Sequence, residues 1–266
     1  MSFPKVKRVI YTNNPLDKVI CQLVFPPILK IEKEIPSEFQ ERIRSNFPIY
    51  EEKTEFKFNV PNEFKKLIPQ EVLPDFLPTT GNINHEFASE DGKWKINLTR
   101  NFIALTCFDY KRWEAFKSNL SSPIEALVDI YSPPFFSRIG LRYIDVIKRS
   151  SLGLDGIKWS ELLQSYILGF LSSPDIEDDI RNLNCTYEMI LSDKMSIAKI
   201  ITKLVETKDQ AEICFMIDSD FFITNKTEIQ SSFEKLDFFN ENASRLIQWS
   251  FKDQLRDVMK PKDIDE

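Results

Sequence analysis

Asp218-Ser219-Asp220 is the acid pair in this sequence best placed for chemistry. Residues i and i+2 of a strand project to the same side. Two carboxylates so placed could hold Mg²⁺ if a third acid joined them, giving a metal-dependent enzyme. The same residues suit an ordinary strand end, where Asp favours the turn. The basic counterpart lies in RIGLRYIDVIKR, residues 138–149. Arg138 and Arg142 are four positions apart and share a face of that strand. With Tyr143 beside them they are candidate contacts for an anion or for a partner's carboxylate. Arg142 could equally hold an acid inside the sheet.

The other chemically capable residues are few. His85 is the only histidine, which excludes a multi-histidine metal centre or a two-histidine relay. It lies in an alternating run beside Glu86, and no G-x-S-x-G or similar signature supplies a nucleophile for it. The expectation is a strand histidine with a local hydrogen bond. Cys21, Cys107, Cys185 and Cys214 are at least 29 positions apart, so no C-x-x-C pair exists. Three of them sit in apolar alternating runs, as small buried hydrophobes do. Six scattered glycines make no phosphate-cradling loop. Asp175, Glu177, Asp178 and Asp179 lack the alternation and glycine of a calcium loop and read as a solvated acidic loop. No catalytic residue, cofactor or metal site is therefore assigned.

Net charge is −6, which argues against direct nucleic-acid binding. The charge is segregated. Residues 93–149 hold ten basic groups against five acidic, and residues 151–193 hold two against eight. Such segregation suits a sign-matched docking surface. The 22 phenylalanines mostly fall at strand or helix spacing, as core residues do. The adjacent pairs Phe135-Phe136, Phe221-Phe222 and Phe238-Phe239 are different. Both rings cannot point inward from one simple face, so one ring of each is a candidate for an interface. The first 14 residues carry Lys5, Lys7 and Arg8 with no apolar stretch behind them, unlike a secretion signal. No run is long and apolar enough to span a bilayer. A soluble, reducing, cytoplasmic setting is expected.

These residues need elements to position them. Val19, Cys21, Leu23 and Phe25 alternate in a strand within 15–30. Ser37 and Gln40 have capping-box spacing, which predicts a helix ending at Pro48. A strand follows at 53–60, then a Pro-rich crossing at 61–80. Runs at 84–90 and 93–100, joined by Asp91-Gly92, predict a hairpin whose two turn residues take positive φ. A strand at 102–109 and a helical stripe from Trp113 to Tyr131 follow. Ser122-Pro123 either kinks that helix or starts a second one. After the strand at 138–149 come a short helix at 158–171 and strands at 184–192, 196–206 and 211–218. A long helical stretch at about 228–259 closes the chain. Three antiparallel strands and a helix thus recur, without matching identities. The reading is an α+β protein with a pseudo-duplicated βββα layout, long amphipathic helices covering antiparallel sheet. It divides into an N-terminal half (1–150), a helix and acidic connector (151–183) and a C-terminal half (184–266), unless one continuous domain spans all three.

Two segments bear a family likeness. Pro15-Leu16-x-x-Val19-Ile20-Cys21-Gln22-Leu23-x-Phe25-Pro26-Pro27-Ile28-Leu29 precedes Pro36-x-x-Phe39-Gln40-x-x-Ile43-Arg44-x-x-Phe47-Pro48. Trp113-x-x-Phe116 and Gly140-Leu141-Arg142-Tyr143-Ile144-Asp145-x-Ile147 continue the pattern. The chain resembles a sporadically distributed prokaryotic family of uncharacterised proteins, whose members often carry Asn where this chain has Asp145. The resemblance brings no catalytic residue. Its patchy distribution is typical of genes in mobile defence or toxin–antitoxin loci. The expected function is a non-catalytic protein-binding or regulatory subunit whose partner is a neighbour-encoded protein, with self-association also open. The alternative is a binder of a small anionic or nucleotide-like ligand in a Phe-lined pocket, with Arg138 or Arg142 at its mouth. The third reading is the Mg²⁺ enzyme built on Asp218 and Asp220.

Overall fold

Strict alternation along Val19, Cys21, Leu23 and Phe25 buries all four side chains and forms strand β2, Leu16–Val24, after the short β1, Val9–Tyr11. The computed structural model of the chain describes residues 3–55, 82–207 and 212–263. The Pro-rich crossing at 61–80 and the residues beyond 55 in the strand expected at 53–60 lie outside them. Strands β3 (Ile49–Glu55), β4 (Asn82–Ala88), β5 (Trp94–Leu98), β6 (Phe102–Cys107) and β7 (Arg138–Ile147) follow. Then come β8 (Asn184–Ile190), β9 (Ile197–Glu206), β10 (Ile213–Ile223) and β11 (Pro261–Asp263).

Nine strands form one antiparallel sheet in the order β3-β4-β5-β6-β2-β7-β10-β9-β8, and β1 pairs with β11 separately. The protein is α+β. Strand β7 pairs with β2 on one side and β10 on the other, so the sheet runs unbroken through the boundary drawn at residue 150. From its centre the order reads β2-β6-β5-β4-β3 one way and β7-β10-β9-β8 the other.

Helices α1 (Leu29–Lys33) and α2 (Ser37–Ile43) precede α3 (Trp113–Tyr131). Ser37 is the first helical residue rather than the cap. Pro36 occupies the cap position and no side chain caps it. Helix α3 runs through Pro123 without a break. Its buried stripe, Phe116, Leu120, Ile124 and Leu127, continues on both sides of that residue, and side-chain burial of this kind stabilises by roughly 1.5–3 kcal/mol per residue. The region 158–171 is not one helix. It folds as single turns α4 (Trp159–Leu162) and α5 (Ser165–Leu168) before a 3₁₀ turn. Glu177, expected in a solvated loop, is buried and accepts hydrogen bonds from the Trp159 and Ser160 amides at the start of α4.

The closing helix divides into α6 (Ser232–Ser250) and α7 (Asp253–Val258). Phe251 interrupts it. Its backbone is extended and bridges Leu163, and the Lys252 amide donates to the Leu162 carbonyl. Tertiary pairing with α4 thus replaces one helical turn. In the β4–β5 hairpin only Gly92 takes positive φ, because the loop is longer than two residues and Ser89 and Trp94 close it. Helix α6 packs on β7 and β10, and α3 packs on α2 and sets Phe116 against Trp94 of β5. Odd-numbered residues of β2, β7 and β10 face this core. Even-numbered residues face the opposite side.

Candidate functional site

The sequence-predicted acids and arginines meet on that opposite face, at the centre of the sheet. Asp220 of β10 lies directly across from Arg142 of β7, and Asp218 across from Ile144. Arg142 reaches diagonally, donating from Nε to Asp218 Oδ1 at 2.6 Å and from Nη2 to Oδ2. Asp218 is 5% exposed, so a buried carboxylate fixes the orientation of a guanidinium that is itself half-exposed. That fork does not use Nη1. The hydrogen bond to Asp218 raises the already high pKa of Arg142.

Arg138 folds along its own strand. Its Nη2 donates to Asp220 Oδ2 at 2.8 Å and its Nη1 to Gln22 Oε1 of β2 at 3.1 Å. It reaches them by lying over Gly140, where a Cβ would stand 2.2 Å from Nη1. Gly140 is thus the residue that lets one arginine bridge three strands. Burial pushes the Asp220 carboxyl up, and the charges of Arg138 and Arg142 oppose the rise. A second cluster on the same face centres on Glu86. Lys53 lies at 2.7 Å, Asn97 Nδ2 donates at 2.9 Å and Lys95 lies at 3.3 Å. Burial alone would raise its carboxyl; the bonds from Lys53 and Asn97, with the charge of Lys95, bring it below its ordinary value.

Chemically, Arg142 is a planar donor held ready for a carboxylate or phosphate. Both aspartates are engaged by arginine, and no group of three or more metal-ligating side chains occurs among the described residues. Tyr143 does not belong with the arginines. It is an odd-numbered residue of β7, buried on the helix side, and its hydroxyl donates to Asn240 Oδ1 at 2.9 Å. The expectation of a Phe-lined pocket mouthed by Arg138 or Arg142 is corrected by the same alternation. Both arginines lie on the face away from the helices, and neither lines a described cavity. Sequence reasoning missed Gln22, Gly140 and the Glu86 cluster. Polar residues recurring at i+2 in β4 and β5 were the available signal.

Each phenylalanine pair places one ring inside and one outside. Phe136, Phe221 and Phe239 are buried, while Phe135, Phe222 and Phe238 are half-buried. Lys226 covers Phe135 at 4.8 Å and Arg138 covers Phe222 at 4.9 Å. Phe238 lines a groove between α3 and α6. His85 is buried, with Tyr50 Oη 3.0 Å from Nδ1 and the Ile31 carbonyl 2.9 Å from Nε2. Cys21, Cys107 and Cys214 are buried and Cys185 is half-buried, all as free thiols. No helix among the described residues is long and apolar enough to cross a membrane. No protein-family model matches the chain, and no curated protein matches it.

Proposed function

We propose that the protein is a non-catalytic binding or regulatory subunit that receives an acidic segment of another protein on the open face of its sheet. One observation carries the reading. Across β2, β7, β10, β9 and β8 that face presents Lys18, Arg138, Arg142, Lys199 and Lys203 against Asp218, Asp220 and Glu188, the last 3.7 Å from Lys199. The chain as a whole is acidic, at −6, so this local excess is opposite in sign to the rest of the molecule. Charge complementarity of this kind selects and orients a partner. The aspartates hold the arginines in place, so little side-chain entropy is lost when a partner's carboxylate arrives.

The finer architecture belongs to the same proposal. A pseudo-duplicated βββα layout, with β2 and β7 as the paired inner strands, would set Gln22 and Arg138 side by side at the centre. The 19-residue helices α3 and α6 then serve as its amphipathic cover. Membership of the sporadically distributed prokaryotic family supplies the setting, a defence or toxin–antitoxin-type assembly with a neighbour-encoded partner.

The test is coexpression with the proteins encoded beside it, followed by calorimetry on the purified pair. The expected complex weakens with rising salt. Reversing Lys199 and Lys203 to Glu should weaken it by about tenfold or more. Absence of any complex, or a complex indifferent to K199E/K203E, refutes the reading.

A further inference from the structure

On the helix side of the sheet a cavity of about 120 Å³ opens between β1, the turn before α3, strand β7 and helix α6. The rings of Tyr11, Tyr110, Trp113 and Tyr143 line it, together with the carboxyl of Asp145. Asp145 is 4% exposed, and its Oδ2 has no hydrogen-bond partner. A buried carboxylate with no counter-charge costs free energy that an oppositely charged ligand beside it can recover.

The charged groups around the cavity are committed elsewhere. Arg8 and Arg112, exposed at the mouth, both pair with Glu114, at 2.8 and 3.4 Å. Lys111 pairs with Asp109 at 2.6 Å. Helix α6 contributes Asn240, Ser244 and Gln248, none of which titrates. Tyr110 and Tyr143 are held neutral by burial, which pushes both phenols well up. Burial is the sole cause acting on Asp145, and it pushes the carboxyl up to about 7. No counter-ion has been built for it.

We infer that this cavity binds a small protonated organic amine, whose N–H groups bond Asp145 and whose body packs against the four aromatic rings. The occupant follows from complementary chemistry. An apolar molecule would leave the buried charge of Asp145 uncompensated, and an anion would be repelled by the ionised carboxylate. An ammonium group satisfies the carboxylate and is attracted to Tyr and Trp faces. At about 120 Å³ the space is smaller than the roughly 150 Å³ cavity that encloses benzene, so a single-ring amine would lie partly in the open mouth rather than be enclosed. The site is independent of the open sheet face, which lies on the other side of β7.

Benzylamine is the probe, with benzyl alcohol and benzoate as controls, titrated into the full chain and followed by calorimetry and by the Trp113 indole N–H resonance. Benzylamine is expected to bind at pH 8 at least about tenfold more tightly than either control. Its affinity should fall about tenfold between pH 8 and pH 6, as Asp145 takes up a proton. Asp145→Asn should abolish both the preference and the pH dependence. No binding at about 10 mM, equal binding of benzyl alcohol, or a pH-independent affinity overturns the inference. The wild-type series alone decides the matter if the variant fails to fold.

Discussion

Replacing Asp145 by Asn should make the protein more stable at neutral and alkaline pH. The carboxyl rises from an ordinary 3.8 to about 7 in the folded chain because it is buried with no counter-ion. Between those values the folded state holds a proton that the unfolded state has released. The contribution is therefore largest below pH 4, is lost as pH rises towards 7, and is constant above it. A rise of about 3 units at 1.36 kcal/mol each places the total on the order of 4 kcal/mol. That is a large share of a typical domain stability of about 5–15 kcal/mol. Asn has nearly the same shape and does not titrate. Urea unfolding of both chains at pH 5 and pH 8 measures the difference. The wild type should lose about 3 kcal/mol relative to the variant across that interval. Glu86 and Asp193, whose carboxyls are lowered, favour the folded state above pH 4 and lose that contribution as pH falls. They are common to both chains and cancel. Parallel pH profiles for the two proteins would refute the reasoning, because Asp145 would then be compensated in the folded state.

Two further outcomes follow from side-chain placement. Gly140→Ala should cost about 1–3 kcal/mol rather than unfold the chain, because its Cβ would stand 2.2 Å from Arg138 Nη1 and moving that guanidinium leaves the half-buried Asp220 without its partner. It should displace that guanidinium from Gln22 and Asp220, which the Arg138 side-chain N–H resonances would report; unchanged resonances would contradict the bridging role. Iodoacetamide at pH 8 should modify Cys185 first. Burial raises the thiols of Cys21, Cys107 (to about 11) and Cys214, so peptide mass spectrometry should find those three unreacted until the chain unfolds.

Local pattern carried much of the architecture. Alternation in β2, β4 to β7 and β8 to β10 marked the strands, because burying one face of a pleated sheet requires a period of two. The stripe in α3 was legible through its internal proline because buried residues recur at i+3 and i+4 on both sides of it. The placement of Arg138 and Arg142 on one face was legible too, being a property of one strand alone. Breaks caused by contact with distant residues were not legible. Phe251 leaves the helix to pair with Leu163, and Glu177 leaves the acidic loop to receive the Trp159 and Ser160 amides.

The sequence by itself determined which side chains share a strand face, since that depends only on parity along the chain. Only the tertiary structure decided what stands opposite them. Register across β2, β7 and β10 set Asp218 and Asp220 against arginines rather than beside a third acid. Packing of α6 and β1 over the helix side gave Asp145 an aromatic cavity and no counter-ion. Partners of this kind are separated by tens to hundreds of residues, and their proximity is fixed by the order in which strands pair rather than by any local spacing.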